Sequence, residues 1–324
     1  MNGLTYLLPV RSRPGDDETD ELTDYVAWLS ERTHLVIVDG SEPATFLRHR
    51  DRWARFATHV PPAQDIRCAN GKVRGVLTGL RLAEDERVVI ADDDVRYDDS
   101  SLEQMGQLLH DADLVRPQNF FEPIPWHARW DTARILVNRA IGSDYPGTLG
   151  VRRSLLRSTD GYDGDVLFEN LELIRTVRAG GGRVVDAPTL FVRRRPPTLA
   201  RFLEQRPRQA YDDWAQPARL GAFLLAGPAL VRLARRWPPG LLAAAGAAVL
   251  LAEVGRIRHR GQEVFDRVSP LFAPVWIVER SALAWLAVGR RLLGGGSPYA
   301  GSVIRRAATP SRRLRRRLRA RPSG

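Results

Sequence analysis

Lysine and cysteine are almost absent from this chain of 324 residues, which contains one of each, Lys72 and Cys68. A single cysteine excludes a disulfide bond within the chain, so nothing in the sequence indicates an oxidising compartment. The first 20 residues lack a basic stretch followed by a long apolar one, and we therefore predict no secretory signal. From these absences we expect the N-terminal part of the chain to stay in the cytoplasm.

The net charge of +11 is concentrated at the C-terminus. Residues 305–324 contain nine arginines and no acidic residue, and subtracting these nine charges leaves +2 for residues 1–304. The body of the chain therefore gives no indication of nucleic-acid binding. We predict none for the tail either, because aromatic side chains do not alternate with its arginines as they do in proteins that bind single strands.

Short apolar runs bounded by turn-forming residues alternate with segments of helical periodicity. This alternation predicts an α/β fold with a mostly parallel sheet. The predicted strands are residues 4–10, 34–38, 87–91, 113–115 and 183–192. The predicted helices are residues 19–32, 71–84, 101–110 and 168–179. Residues 117–150 are rich in proline and glycine, and we predict that they form loops.

Three apolar stretches follow, at residues 220–231, 237–252 and 270–289. The longest run without a charge has 16 residues, which is short of the ~20 needed to span a bilayer core. The third stretch contains Glu279 and Arg280, which are costly facing lipid unless they are paired. We interpret the region as membrane-embedded or interfacial helices, with a soluble helical subdomain as the alternative.

Three consecutive aspartates, Asp92, Asp93 and Asp94, directly follow a predicted strand. The outer two point to the same side of an extended chain, so Asp92 can face a nucleotide while Asp94 reaches a metal ion. Carboxylate oxygens suit Mg²⁺ or Mn²⁺, and such an ion neutralises a departing diphosphate. An acidic turn without a metal is the alternative, since Asp98 and Asp99 lie close by.

Six short motifs occur in order along the chain: Pro9-Val10, VIVDGS (36–41), NGKVRGVLTGLRLA (70–83), ADDD (91–94), GYDGDVLFENLEL (161–173) and QRPRQ (205–209). Together they resemble family 2 glycosyltransferases, whose catalytic domains share the GT-A fold. The resemblance covers about residues 3–215. It implies a Rossmann-like catalytic domain that transfers a sugar from a nucleotide-sugar donor with the help of Mg²⁺ or Mn²⁺.

The resemblance also implies the residues that bind the donor. Asp39 would contact the base or ribose, and Lys72 would lie near the base or the diphosphate, although a solvated surface lysine is the alternative. Asp92 and Asp93 would contact the donor, and Asp92 and Asp94 would bind the metal. Family members carry a Q-x-x-R-W motif; Gln205 and Arg208 match its glutamine and arginine, whereas its tryptophan is not matched. Arg208 can pair with the diphosphate.

The general base is where the chain departs from the family pattern. A Glu-Asp pair at the start of a late helix supplies the base in family members, and this chain has Glu169 and Asn170 there. Because an asparagine cannot accept a proton at neutral pH, we predict Glu169 as the base. The nearby acids Asp163, Asp165 and Glu172 are alternatives, and Glu169 can also act only as a favourable charge at the helix start.

The acceptor side is indicated by aromatic residues and by position. Trp126 and His127 lie in the predicted loop region, where aromatic faces suit sugar rings or lipid tails, and packing into the core is the alternative. Thr148 lies where family members approach the acceptor. We predict these three residues as acceptor-binding.

Four segments are predicted. They are a GT-A catalytic domain (1–195), a linker with the Q-x-x-R segment (196–218), a membrane-associated helical region (219–293) and a basic, disordered tail (294–324). The lack of multiple clear spans places the resemblance closest to the non-processive, ceramide-glucosyltransferase-like branch.

We therefore expect an inverting transferase at the cytoplasmic face of the cell membrane. Its partners would be a UDP- or GDP-sugar, a lipid or lipid-linked glycan acceptor and an anionic membrane surface, without nucleic acid. A nucleotidyltransferase is disfavoured because the loop at residues 11–20 is mostly acidic. The alternative from another class is a catalytically silent membrane-associated scaffold with a basic tail.

Overall fold

The structure is a computed structural model that describes residues 3–12, 20–299 and 301–320. The strands are β1 (Leu4–Val10), β2 (His34–Asp39), β3 (Thr58–Val60), β4 (Arg87–Ala91), β5 (Val95–Arg96), β6 (Leu114–Phe121), β7 (Thr148–Arg152), β8 (Val184–Arg194), β9 (Ser297–Tyr299) and β10 (Ser302–Ile304). The α-helices are α1 (Asp20–Ser30), α2 (Pro43–Trp53), α3 (Gly71–Leu82), α4 (Asp99–Asp111), α5 (Trp126–Ile141), α6 (Arg153–Ser158), α7 (Glu169–Ala179), α8 (Leu199–Tyr211), α9 (Pro217–Arg236), α10 (Pro239–Ile257), α11 (Ala273–Leu293) and α12 (Ser311–Arg319). Most of the acidic loop at residues 11–20 lies outside the described residues.

Eight strands form one sheet in the order β3-β2-β1-β4-β7-β6-β8-β5. Neighbours among β3, β2, β1 and β4 are parallel, and β7 runs antiparallel to both β4 and β6. Parallel strands end at the same edge of a sheet, so Asp39 at the end of β2 and Asp92 after β4 share one edge. Ligands of open α/β sheets bind at this edge.

The core of the sheet region is built from the apolar runs that predicted the strands. β1, β2 and β4 are buried along nearly their whole length, as expected for strands covered on both faces. Helix α3 can pack closely on β1 because residue 79 is a glycine. A Cβ at this position would lie 2.0 Å from the Leu7 Cδ1 atom. This packing holds α3 against β1, which lies between β2 and β4 in the sheet.

The chain folds into two compact units. The first comprises Met1–Pro117, Pro146–Val192 and Thr309–Gly324, and the second comprises Gln118–Tyr145 and Arg193–Ala308. The four predicted segments (1–195, 196–218, 219–293 and 294–324) follow one another along the chain, whereas the observed units interleave. The reason is that α5 packs against α10, which draws residues 118–145 into the second unit.

Two predicted segments have more regular structure than expected. The predicted loop region 117–150 contains α5, because Pro123 and Pro125 lie before the helix, where proline does not interrupt it. The predicted disordered tail contains β9, β10 and α12. Helix α12 is ordered because Leu314 is buried against its own unit, a tertiary contact that composition does not reveal.

Three helical segments of the second unit are long and apolar enough to cross a membrane by length and composition: Pro217–Arg236, Pro239–Glu263 and Ser269–Leu293. Several of their large apolar side chains are exposed, with Leu225 at 72% and Leu242 at 78%. Many large apolar side chains exposed on long apolar helices are typical of surfaces that contact lipid or another protein. Each of the three segments overlaps one of the apolar stretches seen in the sequence and continues beyond its C-terminal end.

The two charges inside α11 are both paired within the second unit. Glu279 accepts hydrogen bonds from Arg206 at 2.6 and 2.7 Å, and Arg280 donates to Asp213 at 2.8 and 2.9 Å. Both are two-pronged contacts, the strongest geometry for an arginine–carboxylate pair. The pairing removes the cost that isolated charges would impose on an apolar helix.

Gly255 makes the contact between α10 and α5 possible, and we expect Gly255→Ala to destabilise the protein. A Cβ at this position would lie 1.8 Å from the Leu136 carbonyl oxygen, so the backbones of the two helices must separate. We expect a loss of about 1–3 kcal/mol in the free energy of unfolding, as for other overpacked cores. Denaturant titration in detergent measures it.

Gly246 provides the matched control in the same helix. Apart from the neighbouring backbone of its own helix, no described atom lies within 4 Å of its Cβ position, so Gly246→Ala gains helix propensity without a clash. We expect it to raise stability by up to about 1 kcal/mol. Equal effects of the two substitutions would contradict the close approach of α10 and α5.

Candidate functional site

The aspartate run forms a tight turn at the end of β4. The Asp92 N–H donates to the Gly147 carbonyl at 2.9 Å, and the Val95 N–H donates back to the Asp92 carbonyl at 3.1 Å. Arg96 donates to the Asp93 carbonyl at 2.7 Å. The backbone of Asp92 and Asp93 is thereby held, and all three aspartates are half-buried at the sheet edge.

Lys72 joins this turn to Glu169. Its Nζ lies 2.5 Å from Asp92 Oδ1 and 2.9 Å from Glu169 Oε1. Burial by itself lowers the pKa of Lys72, but the two carboxylates outweigh burial and raise this pKa above its ordinary value. Lys72 is therefore a permanent cation between two acids that are separated by 77 residues in the sequence.

Asn70 fixes the start of α3 and so the position of Lys72. Its Oδ1 accepts hydrogen bonds from the Lys72 N–H at 3.1 Å and the Val73 N–H at 3.4 Å, which caps the helix. Its Nδ2 donates to the Val166 carbonyl at 3.1 Å, and its N–H donates to the Gly164 carbonyl at 2.9 Å. Asn70 thus ties Lys72 to the loop that precedes α7. This role of Asn70 was not predicted, although an asparagine directly before a helix is a capping signal.

Of the four predicted base candidates, Glu169 is the one that contacts Lys72, and Lys72 also contacts Asp92 in the aspartate turn. Glu169 is the first residue of α7 and its side chain is 9% exposed. Asp165 accepts from the Ala69 N–H and Asp163 from the Asp165 N–H, both at 2.9 Å. Glu172 accepts from the Thr309 N–H at 2.5 Å. The geometry therefore favours Glu169 over the three alternatives.

Asn170, the residue that departs from the family pattern, has a clear structural role. Its Nδ2 donates to the Pro146 carbonyl at 2.9 Å. An aspartate would place a second acceptor against that carbonyl, so the amide is the side chain that the local structure requires.

Asp39 lies at the same edge, but its carboxylate is engaged inside the protein. His49 Nδ1 and His59 Nε2 donate to its Oδ2 at 2.6 and 3.2 Å, and the Ser41 N–H donates to its Oδ1 at 2.9 Å. Burial alone would raise the pKa of Asp39, but the hydrogen bonds outweigh it and hold this pKa well below its ordinary value. The predicted contact of Asp39 with a nucleotide stays a prediction, and the two histidines were not foreseen.

Thr148 is buried in β7, where its hydroxyl has two partners. It donates to the Ile90 carbonyl at 2.8 Å and lies 3.0 Å from the Tyr97 hydroxyl. These contacts join β7 to β4 and to the segment after the aspartate turn. The predicted role of Thr148 in acceptor binding stays a prediction.

Four predicted site residues belong to the second unit. Arg208 lies over the Tyr299 ring at 4.8 Å, and Gln205 is half-buried on the same helix, α8. Trp126 is exposed on the first turn of α5, whereas His127 is buried and donates from Nε2 to the Pro197 carbonyl at 2.8 Å. Their roles in donor and acceptor binding stay predictions.

The carboxylates of Asp92 and Asp94 suit a hard divalent cation, but only with further ligands. Within the described ranges, no group of three or more His, Cys, Asp or Glu side chains could hold a metal ion. Mg²⁺ typically takes one or two protein carboxylates and completes its coordination with water and substrate phosphates. The donor set therefore fits an ion that binds together with a nucleotide diphosphate.

No family model matches the chain, and neither does any curated protein. Among solved structures, the fold is similar to that of a mannosyltransferase from Pyrobaculum calidifontis in complex with GDP-Man and Mn²⁺. The two share 19% identity over 90% of this chain and 87% of that one, with a TM-score of 0.57. This similarity confirms the predicted α/β fold of the GT-A type.

Two further structures match less of the chain. Glucosyl-3-phosphoglycerate synthase from Mycobacterium tuberculosis has 19% identity, covers 61% of this chain and 74% of its own, and has a TM-score of 0.42. Mannosyl-3-phosphoglycerate synthase from Rubrobacter xylanophilus has 15% identity, coverages of 64% and 71%, and a TM-score of 0.43.

Proposed function

We propose that this protein is a metal-dependent glycosyltransferase that transfers a sugar from a nucleotide-sugar donor. One observation carries the proposal: Lys72 Nζ lies 2.5 Å from Asp92, the first aspartate of a D-x-D run, and 2.9 Å from Glu169. A carboxylate turn at a strand end suits the donor diphosphate, and a nearby second carboxylate suits the acceptor hydroxyl. The GT-A fold provides the framework for this arrangement.

The reaction proposed for this site is a single inverting displacement. Glu169 accepts the proton of the acceptor hydroxyl as its oxygen bonds to the anomeric carbon of the donor sugar. The bond from that carbon to the diphosphate oxygen breaks on the opposite face, and the nucleoside diphosphate leaves with the electron pair. Lys72 places its positive charge next to Asp92, which holds the turn in position for the leaving diphosphate.

Asp94 and Asp92 would hold Mg²⁺ or Mn²⁺ at this turn. When bound, the ion stabilises the negative charge of the leaving diphosphate. The donor would be a GDP- or UDP-sugar, and we expect GDP-mannose to be the first to test, because the mannosyltransferase with the same fold was solved with GDP-Man and Mn²⁺.

The acceptor would be a lipid or a lipid-linked glycan at the cytoplasmic face of the cell membrane. The support is the set of three long apolar helical segments with exposed leucines, which suit a bilayer by length and composition. A non-processive enzyme of the ceramide-glucosyltransferase-like type is supported by Gln205 and Arg208 on α8. The three candidate spans found among the described residues are too few to form a polymer channel. An anionic membrane surface would be a further partner.

Donor titration of the full chain tests the proposal. We expect GDP-mannose or a UDP-sugar to bind in the presence of Mn²⁺ or Mg²⁺, because the two aspartates do not complete a metal site without the donor diphosphate. A chelator removes the ion and should therefore release the donor. Calorimetry on protein in phosphatidylcholine nanodiscs measures the binding. Transfer is then followed as radioactive sugar that moves into the lipid fraction, with a cell-membrane lipid extract added to the discs as acceptor because phosphatidylcholine has no free hydroxyl.

A folded protein that binds no nucleotide-sugar with either metal would contradict the proposal. The catalytically silent membrane scaffold would then take its place. Binding without transfer to lipid would leave the donor assignment standing and overturn the lipid acceptor.

A further inference from the structure

Helix α12 presents a stripe of arginines on one face. It contains six arginines among nine residues and no acidic residue. Arg312, Arg315, Arg316 and Arg319 are spaced three and four residues apart, so they share one helix face, and all are exposed. In the described part of the chain, none of these four guanidinium groups forms an ion pair or a hydrogen bond. We call these four residues the arginine stripe.

The opposite face of α12 is docked on helix α7. Leu314 is 3% exposed, and just before α12 the Thr309 N–H donates to Glu172 while Arg175 donates to the Thr309 carbonyl at 3.0 Å. Glu172 and Arg175 belong to α7, and Glu172 is one turn from Glu169. A displacement of α12 therefore acts directly on the helix that begins with the predicted base.

A second contact connects α12 to the other side of the site. Arg317 lies 3.8 Å from Asp163, in the loop before α7. Asn70, which positions Lys72, is hydrogen-bonded to the Gly164 and Val166 carbonyls of this same loop. Glu169, one of the two acids that flank the bridging lysine, thus belongs to a helix in contact with α12, and the loop that holds Asn70 is also in contact with α12.

We propose that the arginine stripe of α12 binds the anionic headgroups of a lipid membrane and that this contact stabilises α7 and the loop before it. Like charges at this spacing destabilise a helix, and phosphate groups relieve the repulsion while arginine binds them well. The chain supplies the membrane argument itself, because α12 begins 18 residues after the last candidate span ends at Leu293. The inference rests on the proposed membrane association and goes beyond it by naming the surface and its effect.

Amide hydrogen exchange of the full chain in nanodiscs tests the inference without any donor. Discs of phosphatidylcholine alone are compared with discs that also contain phosphatidylglycerol. We expect the anionic lipid to slow exchange severalfold in α12, in α7 and in residues 163–168, and high salt to abolish the slowing because surface charges are screened. Since each surface arginine contributes up to about fivefold in lipid affinity, replacing all four by glutamine is expected to remove the response.

Two further variants separate the contact from its effect. Glutamine at Arg50, Arg52, Arg67 and Arg157 removes the same charge from exposed positions of the first unit, and we expect this variant to respond like the unchanged protein. Arg175→Gln removes the donor to the Thr309 carbonyl. In this variant we expect anionic lipid still to slow amide exchange in α12 but to slow it less in α7.

Equal exchange in the two kinds of disc would overturn the inference, and so would an unchanged response after replacement of the arginine stripe. Equal protection by a single-stranded oligonucleotide would assign the stripe to nucleic acid instead. No nucleotide-sugar is present in the exchange experiment, so its result is independent of the donor titration. The transferase proposal is tested by the titration alone.

Discussion

Glu169→Gln is expected to abolish sugar transfer while leaving donor binding nearly unchanged. Glutamine keeps the oxygen that accepts from Lys72 but cannot take a proton from the acceptor hydroxyl. Loss of a general base lowers rates by about 10²–10⁴-fold. Initial rates of transfer and donor calorimetry, measured on the same preparation, separate the two effects.

Asp165→Asn is the matched control for this change. Asp165 is an alternative base from the same segment, and an asparagine there can still accept from the Ala69 N–H. We expect this variant to retain most of the transfer rate. Loss of transfer in Asp165→Asn with retention in Glu169→Gln would reassign the base.

Asp94→Ala is expected to remove metal-dependent donor binding. With Asp94 gone, Asp92 is the remaining predicted metal ligand, and its Oδ1 is already 2.5 Å from Lys72. A bound divalent cation contributes several kcal/mol of charge stabilisation, so we expect donor affinity to fall by about 100-fold or more. Titration with and without Mn²⁺ is the measurement, and a chelator should produce the same loss in the unchanged protein.

Asp111→Ala controls for the general effect of removing an acid. Asp111 is exposed at the end of α4, and we expect its replacement to leave donor affinity unchanged. If Asp94→Ala retained metal-dependent binding as well, the aspartate turn would not be the metal site.

The sheet could be predicted well where an apolar run is bounded by turn residues. β1 and β4 occupy the predicted residues 4–10 and 87–91 because both strands are buried on both faces and so are apolar throughout. Strand β3 was missed because its three residues are partly exposed and show no periodicity. Helix α5 was not predicted because Pro117, Pro123 and Pro125 favour a loop, although all three precede the helix.

The site could be predicted as a set of residues but not as an arrangement. The strand before the aspartates places them at the sheet edge, and the family pattern singles out Lys72 and Glu169. A single lysine bridges both acids because Asn70 fixes its position. The partners of Asn70 lie about 95 residues further along the chain. The contacts of Asp39 with His49 and His59 likewise depend on tertiary packing, which local patterns do not encode.

The bridge formed by Lys72 also makes the site chemically distinct from the rest of the protein. Lys72 is the only side-chain amine among 324 residues, because every other basic side chain is an arginine or a histidine. An amine-selective acylating reagent therefore has a single side-chain target of this type, and that target lies between Asp92 and Glu169. Because the raised pKa keeps this amine protonated, its labelling should be slow, and any change in the two carboxylates should alter that rate. Because lysine is so rare here, mass spectrometry of the one peptide that contains Lys72 reports directly on the site.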